Sequence, residues 1–242
     1  GELRHSHYMG LGEYEEDDIV LYHSMAAGFW ITKMPYMGDL DFFHMNDWPA
    51  TRRDAVNAHY RECIRRQLYL NGSDRIHLSK NPIYSGRVES LIRAFPGARF
   101  VVNVRNPYET IPSNMKIMYA GWKKMGWEQE QQRRCLAVLA DIAWETYKHP
   151  FEALAAHPEV RHSIVDYRDL TADPAAAVER IYEDLDLPLG EEFREVLAAQ
   201  GKRERSHETK HRYSLEQFGL EADAIRGELA ELFERFLSLI HI

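Results

Sequence analysis

The sequence has few cysteines, no long apolar run, no excess of positive charge and no glycine-rich phosphate loop. Cys63 and Cys135 are the only cysteines in 242 residues. This excludes a disulfide framework and suits a reducing compartment. The apolar run Met25 to Trp30 is far too short for the ~20 residues that span a bilayer. The first residues show no basic-then-apolar leader. A cytoplasmic protein is therefore expected, with no membrane span. Lys and Arg number 30 against 38 Asp and Glu, giving a formal charge of −8. Such a balance argues against a general nucleic-acid binder, which needs a basic face to release counterions. It leaves room for a small local anion site.

What is present is the composition of a folded protein. Hydrophobic residues make up 45% and aromatics 12%, enough for a sizeable core. A single domain over 1–242 is expected. The acidic run Glu15 to Asp18 precedes Ile19-Val20-Leu21 and reads as a helix start over Glu13 to Ser24, since acids in a first turn complement the helix dipole. A solvated helix end is favoured there over a metal site. Met25 to Trp48 carries ten Met or aromatic side chains, among them Met37, Phe42, Phe43 and Met45, with no steady period. Two readings stand: an irregular segment packed on the core, or a wall over an apolar pocket. His5 and His7 form a His-x-His pair, more often mobile polypeptide than a metal site.

A regular alternation follows a helix over Arg52 to Leu70. Strands are expected at Arg75 to Ser79, Phe100 to Val104 and Val160 to Tyr167. Helices are expected at Gly86 to Phe95, Tyr108 to Ala120, Trp127 to Ala156 and Pro174 to Leu185. This order predicts an α/β fold with a parallel sheet flanked by helices. Ligands of such sheets bind beyond the carboxyl ends of the strands. Three ends are therefore candidate sites. Lys80 leaves the first before Asn81-Pro82, as a point charge for the crevice or a solvated loop lysine. Arg105 leaves the second, with Ser113 two helical turns on. A guanidinium fork and a hydroxyl there can grip one phosphate; the competing role is an Arg lying over the sheet edge. Tyr167 leaves the third, to contact a base or to pack half-buried.

The segments Leu78-Ser79-Lys80-Asn81-Pro82, Ala94-Phe95-Pro96-Gly97-Ala98-Arg99-Phe100 and Arg105-Asn106-Pro107-Tyr108 with Ser113 resemble the sulfotransferase family that uses 3′-phosphoadenosine 5′-phosphosulfate. Tyr167-Arg168-Asp169-Leu170 and His211-Arg212-Tyr213-Ser214-Leu215 extend the resemblance over nearly the whole chain. It implies a three-layer, P-loop-like architecture. It implies that Arg105 and Ser113 bind the donor's 3′-phosphate, that Tyr167 contacts adenine and that Lys80 approaches the sulfuryl group. Lys210, His211 and Arg212, within the basic stretch that begins at Lys202, fall where the family's C-terminal loop closes over the nucleotide; a solvated charge run is the other reading. The family's Gly-rich loop is missing, since Gly121 and Gly126 have neither a preceding strand nor a following Lys-Ser/Thr. The expectation is that the loop lies upstream of this sequence; without it, a non-catalytic nucleotide-binding or interaction protein on the same scaffold is the alternative. Many relatives place a His in the turn after Lys80, near where Tyr84 stands, so the acceptor's base is unassigned: His77 and Tyr84 are candidates by position, and an acid or His in the missing region is the other. The expected co-substrate is 3′-phosphoadenosine 5′-phosphosulfate, with no metal. The expected partner is a small, apolar acceptor, with no nucleic acid; the sequence leaves a homo-oligomer open.

Overall fold

A computed structural model describes residues 16–34, 36–37, 39–204 and 215–236, with side chains left aside at 202–204. Eleven regular elements matter for the site. They are α1 (Ala50–Asn71), α2 (Val88–Ala94), β1 (Phe100–Val104), α3 (Pro107–Lys124), α4 (Gln129–Ala156) and β2 (His162–Asp166). They continue as α5 (Tyr167–Ala172), α6 (Pro174–Asp184), α7 (Glu191–Glu204), α8 (Ala222–Glu228) and α9 (Ala230–Phe236). Short 3₁₀ helices cover Asp17–Ser24, Gly28–Thr32, Met45–Asp47 and Pro82–Arg87.

The strands β1 and β2 pair in parallel, Phe100 opposite His162 and Val104 opposite Asp166. Parallel pairing requires a long crossover, here α3 and α4, so the fold is α/β. Both strands therefore end on the same side of the molecule. Each leads at once into a capped helix. The Asn106 side chain accepts from the Tyr108 amide at 3.0 Å, and the Asp166 side chain from the Arg168 amide at 2.8 Å. These caps satisfy amides that the first helical turn leaves unpaired.

Helix α3 buries a stripe of Ile111, Met115, Met118 and Trp122, spaced four, three and four apart. That spacing puts one face on the core. It packs with Cys135 and Leu139 of α4 and with Ile225, Leu232 and Phe233 of α8 and α9. A second cluster joins Leu21, Met45 and Trp48 to Val56 and Tyr60 of α1 and to Tyr84. The expected helix over Glu13 to Ser24 is the 3₁₀ helix Asp17–Ser24, and that over Gly86 to Phe95 divides into 3₁₀ and α turns.

The expected strand Arg75 to Ser79 is not formed. The segment has no ladder, and Ile76 and Leu78 are 69% and 88% exposed. A strand requires a neighbour to accept its backbone bonds, and among the described residues β1 and β2 pair only with each other. Side-chain bonds hold the segment instead.

Candidate active site

The sequence places three acids at the start of the first 3₁₀ helix, and each has a distant partner. Glu16 pairs with Lys80. Asp17 accepts from Ser79 Oγ at 2.7 Å, lies 3.1 Å from His77 Nε2, and accepts from the Tyr60 hydroxyl. Asp18 meets the Arg87 guanidinium at 3.4 Å and the Phe29 amide at 3.1 Å. Burial pushes the Asp17 carboxyl up, but the bonds from His77, Tyr60 and Ser79 outweigh it and hold the group below the usual carboxylate range. Glu16, Asp17 and Asp18 are thus not a solvated helix end, since each is held by a partner. Among the described residues no cluster of three His, Cys, Asp or Glu is arranged to hold a metal; His5 and His7 lie outside them.

These contacts place the first-strand candidates. Lys80 is 74% exposed, with its ammonium on Glu16. His77 is half-buried with Nε2 on Asp17. Tyr84 lies in the interior, edge-on to Tyr60 at 5.6 Å between centroids. Burial, reinforced by the Tyr60 and Asp17 charges, pushes its hydroxyl far above the ordinary phenol value. A phenol whose anion is so disfavoured is a poor proton acceptor, so Tyr84 is a core residue.

At the other two strand ends the structure brings Arg105 and Tyr167 together. The Arg105 guanidinium stands 4.6 Å from the Tyr167 ring centroid. Its Nη2 donates to Glu109 Oε2 at 3.1 Å, one turn along α3. Its Nε is buried without a partner. The Arg105 carbonyl accepts from the Tyr147 hydroxyl at 3.0 Å, and that hydroxyl also meets Thr110 Oγ1. Burial pushes the Tyr147 hydroxyl up to about 12, so it stays protonated and keeps donating. Ser113 is half-buried on α3 directly after Pro112, which donates no backbone bond. Arg105 and Tyr167 thus form one unit at the shared carboxyl edge, with Ser113 on the helix that begins there. Lys210, His211 and Arg212 lie outside the described residues.

Sequence reasoning missed Glu109, Tyr147 and the pairing of Asp41 with His44. The first was readable as an i, i+4 partner of Arg105. Asp41-x-x-His44 was readable as a side-chain turn: Asp41 Oδ1 accepts from the amides of Phe43 at 2.8 Å and His44 at 2.9 Å. Tyr147 carried no local signal. The segment Gly28 to His44 does line an apolar cavity with Ile83 and α4.

Comparison with known proteins identifies the family. A family model described as "Sulfotransferase family" matches residues 4–191. Two curated relatives, each an omega-hydroxy-beta-dihydromenaquinone-9 sulfotransferase Stf3, come from Mycobacterium bovis and Mycobacterium tuberculosis. Each is 30% identical over 126 residues, covering 50% of this chain and 31% of the relative. The match thus spans about a third of the relatives' length. The fold is similar to that of sulfotransferase STF9 from Mycobacterium avium, with a TM-score of 0.75 at 19% identity, over 92% of this chain and 56% of that one. No helix among the described residues is long and apolar enough to cross a membrane. With its family model matched across most of its length, the chain belongs to the sulfotransferase family.

Proposed function

We propose that this protein moves a sulfuryl group from 3′-phosphoadenosine 5′-phosphosulfate to a hydroxyl or amine of a small apolar acceptor. The observation that carries the reading is the Arg105 guanidinium stacked on Tyr167 where β1 and β2 end. A guanidinium fork suits a phosphate, and an aromatic face beside it suits a nucleobase. Ser113 adds a hydroxyl on the following helix. Lys80 contributes positive charge against the oxygens that gain charge as the sulfuryl group departs. Transfer of this kind resembles phosphoryl transfer, in which positioning and electrostatics supply most of the acceleration. The curated relatives named for a hydroxylated menaquinone support an apolar alcohol as acceptor class.

The test is a calorimetric titration with 3′,5′-ADP. Arg105→Ala is expected to weaken binding at least several-fold while the thermal midpoint stays close to wild type. Unchanged affinity in this variant, or a preference for ATP over 3′,5′-ADP in the wild type, would refute the reading. Lys80→Ala is expected to bind 3′,5′-ADP normally and to lose turnover.

A further inference from the structure

We infer that the apolar cavity beside the Lys80 turn is the acceptor pocket, with His44 as the base that takes the acceptor's proton and Asp41 as the residue that orients it. The inference deepens the sulfotransferase reading and rests on it for the transfer step.

The cavity has a volume of about 210 Å³. Its walls are Ile31, Met37, Leu40 and Phe42 on one side and Val138 and Ile142 of α4 on the other. An apolar cavity of ~150 Å³ already takes a benzene ring. This one therefore fits a single substituted ring or a branched chain of isoprenoid size, and excludes a sugar polymer. Ile83 closes it, three residues after Lys80 in the same turn. Its approach depends on Gly28, where a Cβ would stand 2.3 Å from Ile83 Cγ2. Helix α4 links the cavity to the strand-end site: five residues after Ile142, or about 7.5 Å along the axis, Tyr147 holds the Arg105 carbonyl.

The polar side chains of the lining are Asp41, His44 and Asp141, and the first two are paired. His44 Nδ1 lies 2.7 Å from Asp41 Oδ2. An ionised carboxylate only accepts, so Nδ1 donates, and in the neutral ring Nε2 holds the lone pair. Nε2 makes no hydrogen bond to the described residues, and the ring is about one-third exposed. The Asp41 bond raises the His44 pKa above the ordinary histidine value against the opposing effect of burial. Asp41, Asp47 and Glu145 are the charged groups acting on the ring, and Asp141 also faces the cavity. Among the described lining residues the ionisable groups are Asp41, Asp141 and His44; with two acids there, an uncharged alcohol or phenol suits the pocket better than an anionic acceptor.

In the step assigned here, the acceptor oxygen forms a bond to sulfur as its proton passes to His44 Nε2. The bond between sulfur and the bridging 5′-phosphate oxygen breaks, and its electron pair stays on that oxygen, leaving 3′,5′-ADP. Asp41 then faces an imidazolium, which its charge stabilises.

The test titrates the full chain with 4-propylphenol in the absence of donor. Wild type is expected to bind, and Leu40→Trp and Val138→Trp, which fill the cavity from opposite walls, each to weaken binding at least tenfold. Leu40 stands at the exposed rim, so that variant keeps its fold even if Val138→Trp loses it. Arg105→Ala is expected to bind the phenol as wild type does. Affinity should rise with pH as His44 loses its proton and accepts from the phenol. His44→Gln should abolish that rise, and Asp41→Asn should move it to lower pH. Full phenol affinity in both Trp variants would overturn the pocket. An unchanged pH dependence in His44→Gln, or wild-type kcat in that variant, would overturn the role of His44. A wild type that binds 4-propylphenol in this pattern but not 3′,5′-ADP would sink the donor reading alone and leave the pocket standing.

Discussion

The Arg105 guanidinium lies over the Tyr167 ring at 4.6 Å, joining two residues 62 positions apart at the ends of neighbouring strands. The contact follows from the register. Val104 and Asp166 are partners in the ladder, so the residues that leave each strand next emerge side by side. A cation above an aromatic face gains about 0.5–1 kcal/mol at a partly exposed site. That holds the guanidinium plane in place before any anion arrives, and less freedom is lost on binding.

The Glu109 carboxylate at 3.1 Å sits where an incoming phosphate would compete for the same donor. An exposed i, i+4 pair contributes only about 0.3–0.5 kcal/mol, so removing it costs little stability. It also takes a negative charge away from the anion site. Glu109→Gln is therefore expected to tighten 3′,5′-ADP binding about two- to fivefold, with most of the gain at low salt. Titrations at two ionic strengths check this. Weaker binding in the variant would mean that Glu109 orients Arg105 rather than competes for it.

The elements that local pattern can specify were legible. The strand Phe100 to Val104 was legible to the residue, the helix after it was read over Tyr108 to Ala120 against an observed Pro107–Lys124, and Asn106 was readable as a cap. The strand expected at Arg75 to Ser79 failed because a ladder is a property of two segments. The roles of Glu16, Asp17 and Asp18 were illegible for the same reason. Their partners lie up to 69 positions away, at Lys80, His77 and Arg87. The strand-end residues could be singled out one by one. That Arg105 and Tyr167 touch, and that the Asp41-His44 turn lies against Ile83 and α4 on an apolar cavity, depended on packing that no single window contains.

Asp17 illustrates how much this long-range pairing holds. Its carboxylate collects His77, Ser79 and Tyr60, the first two from the segment without a ladder. Its folded pKa is depressed below 3.8. A depressed carboxyl contributes stability that is present above its unfolded pKa and is lost as pH falls through the folded value. Wild type is thus expected to lose stability below about pH 4. Asp17→Asn is expected to cost about 1–3 kcal/mol at pH 7 and to show a shallower acid limb. Urea denaturation at pH 7 and at pH 3 measures both; equal losses at the two pH values would contradict the assignment.

Arg87 is the other long-range tie, and its energetics differ because it is buried, at 1% exposure. Its Nη2 donates to the carbonyls of Ala26 and Phe42, each at 2.6 Å, and its Nη1 faces Asp18 at 3.4 Å. It therefore pins both ends of the segment that lines the apolar cavity. Replacing one member of a buried ion pair leaves the other charge without compensation, at a cost of about 3–5 kcal/mol. Arg87→Met is expected to lose that much, since the Asp18 carboxylate and two carbonyls would all be stranded. Adding Asp18→Asn removes the uncompensated charge but not the carbonyls, so the double variant should recover part of the loss. Because both carbonyls flank the cavity wall, 4-propylphenol binding should fall in the single and the double variant alike, even in the fraction that remains folded. Denaturation midpoints and phenol titrations on the three proteins separate these effects. A double variant less stable than Arg87→Met would show that Asp18 is held by the Phe29 amide rather than by the guanidinium.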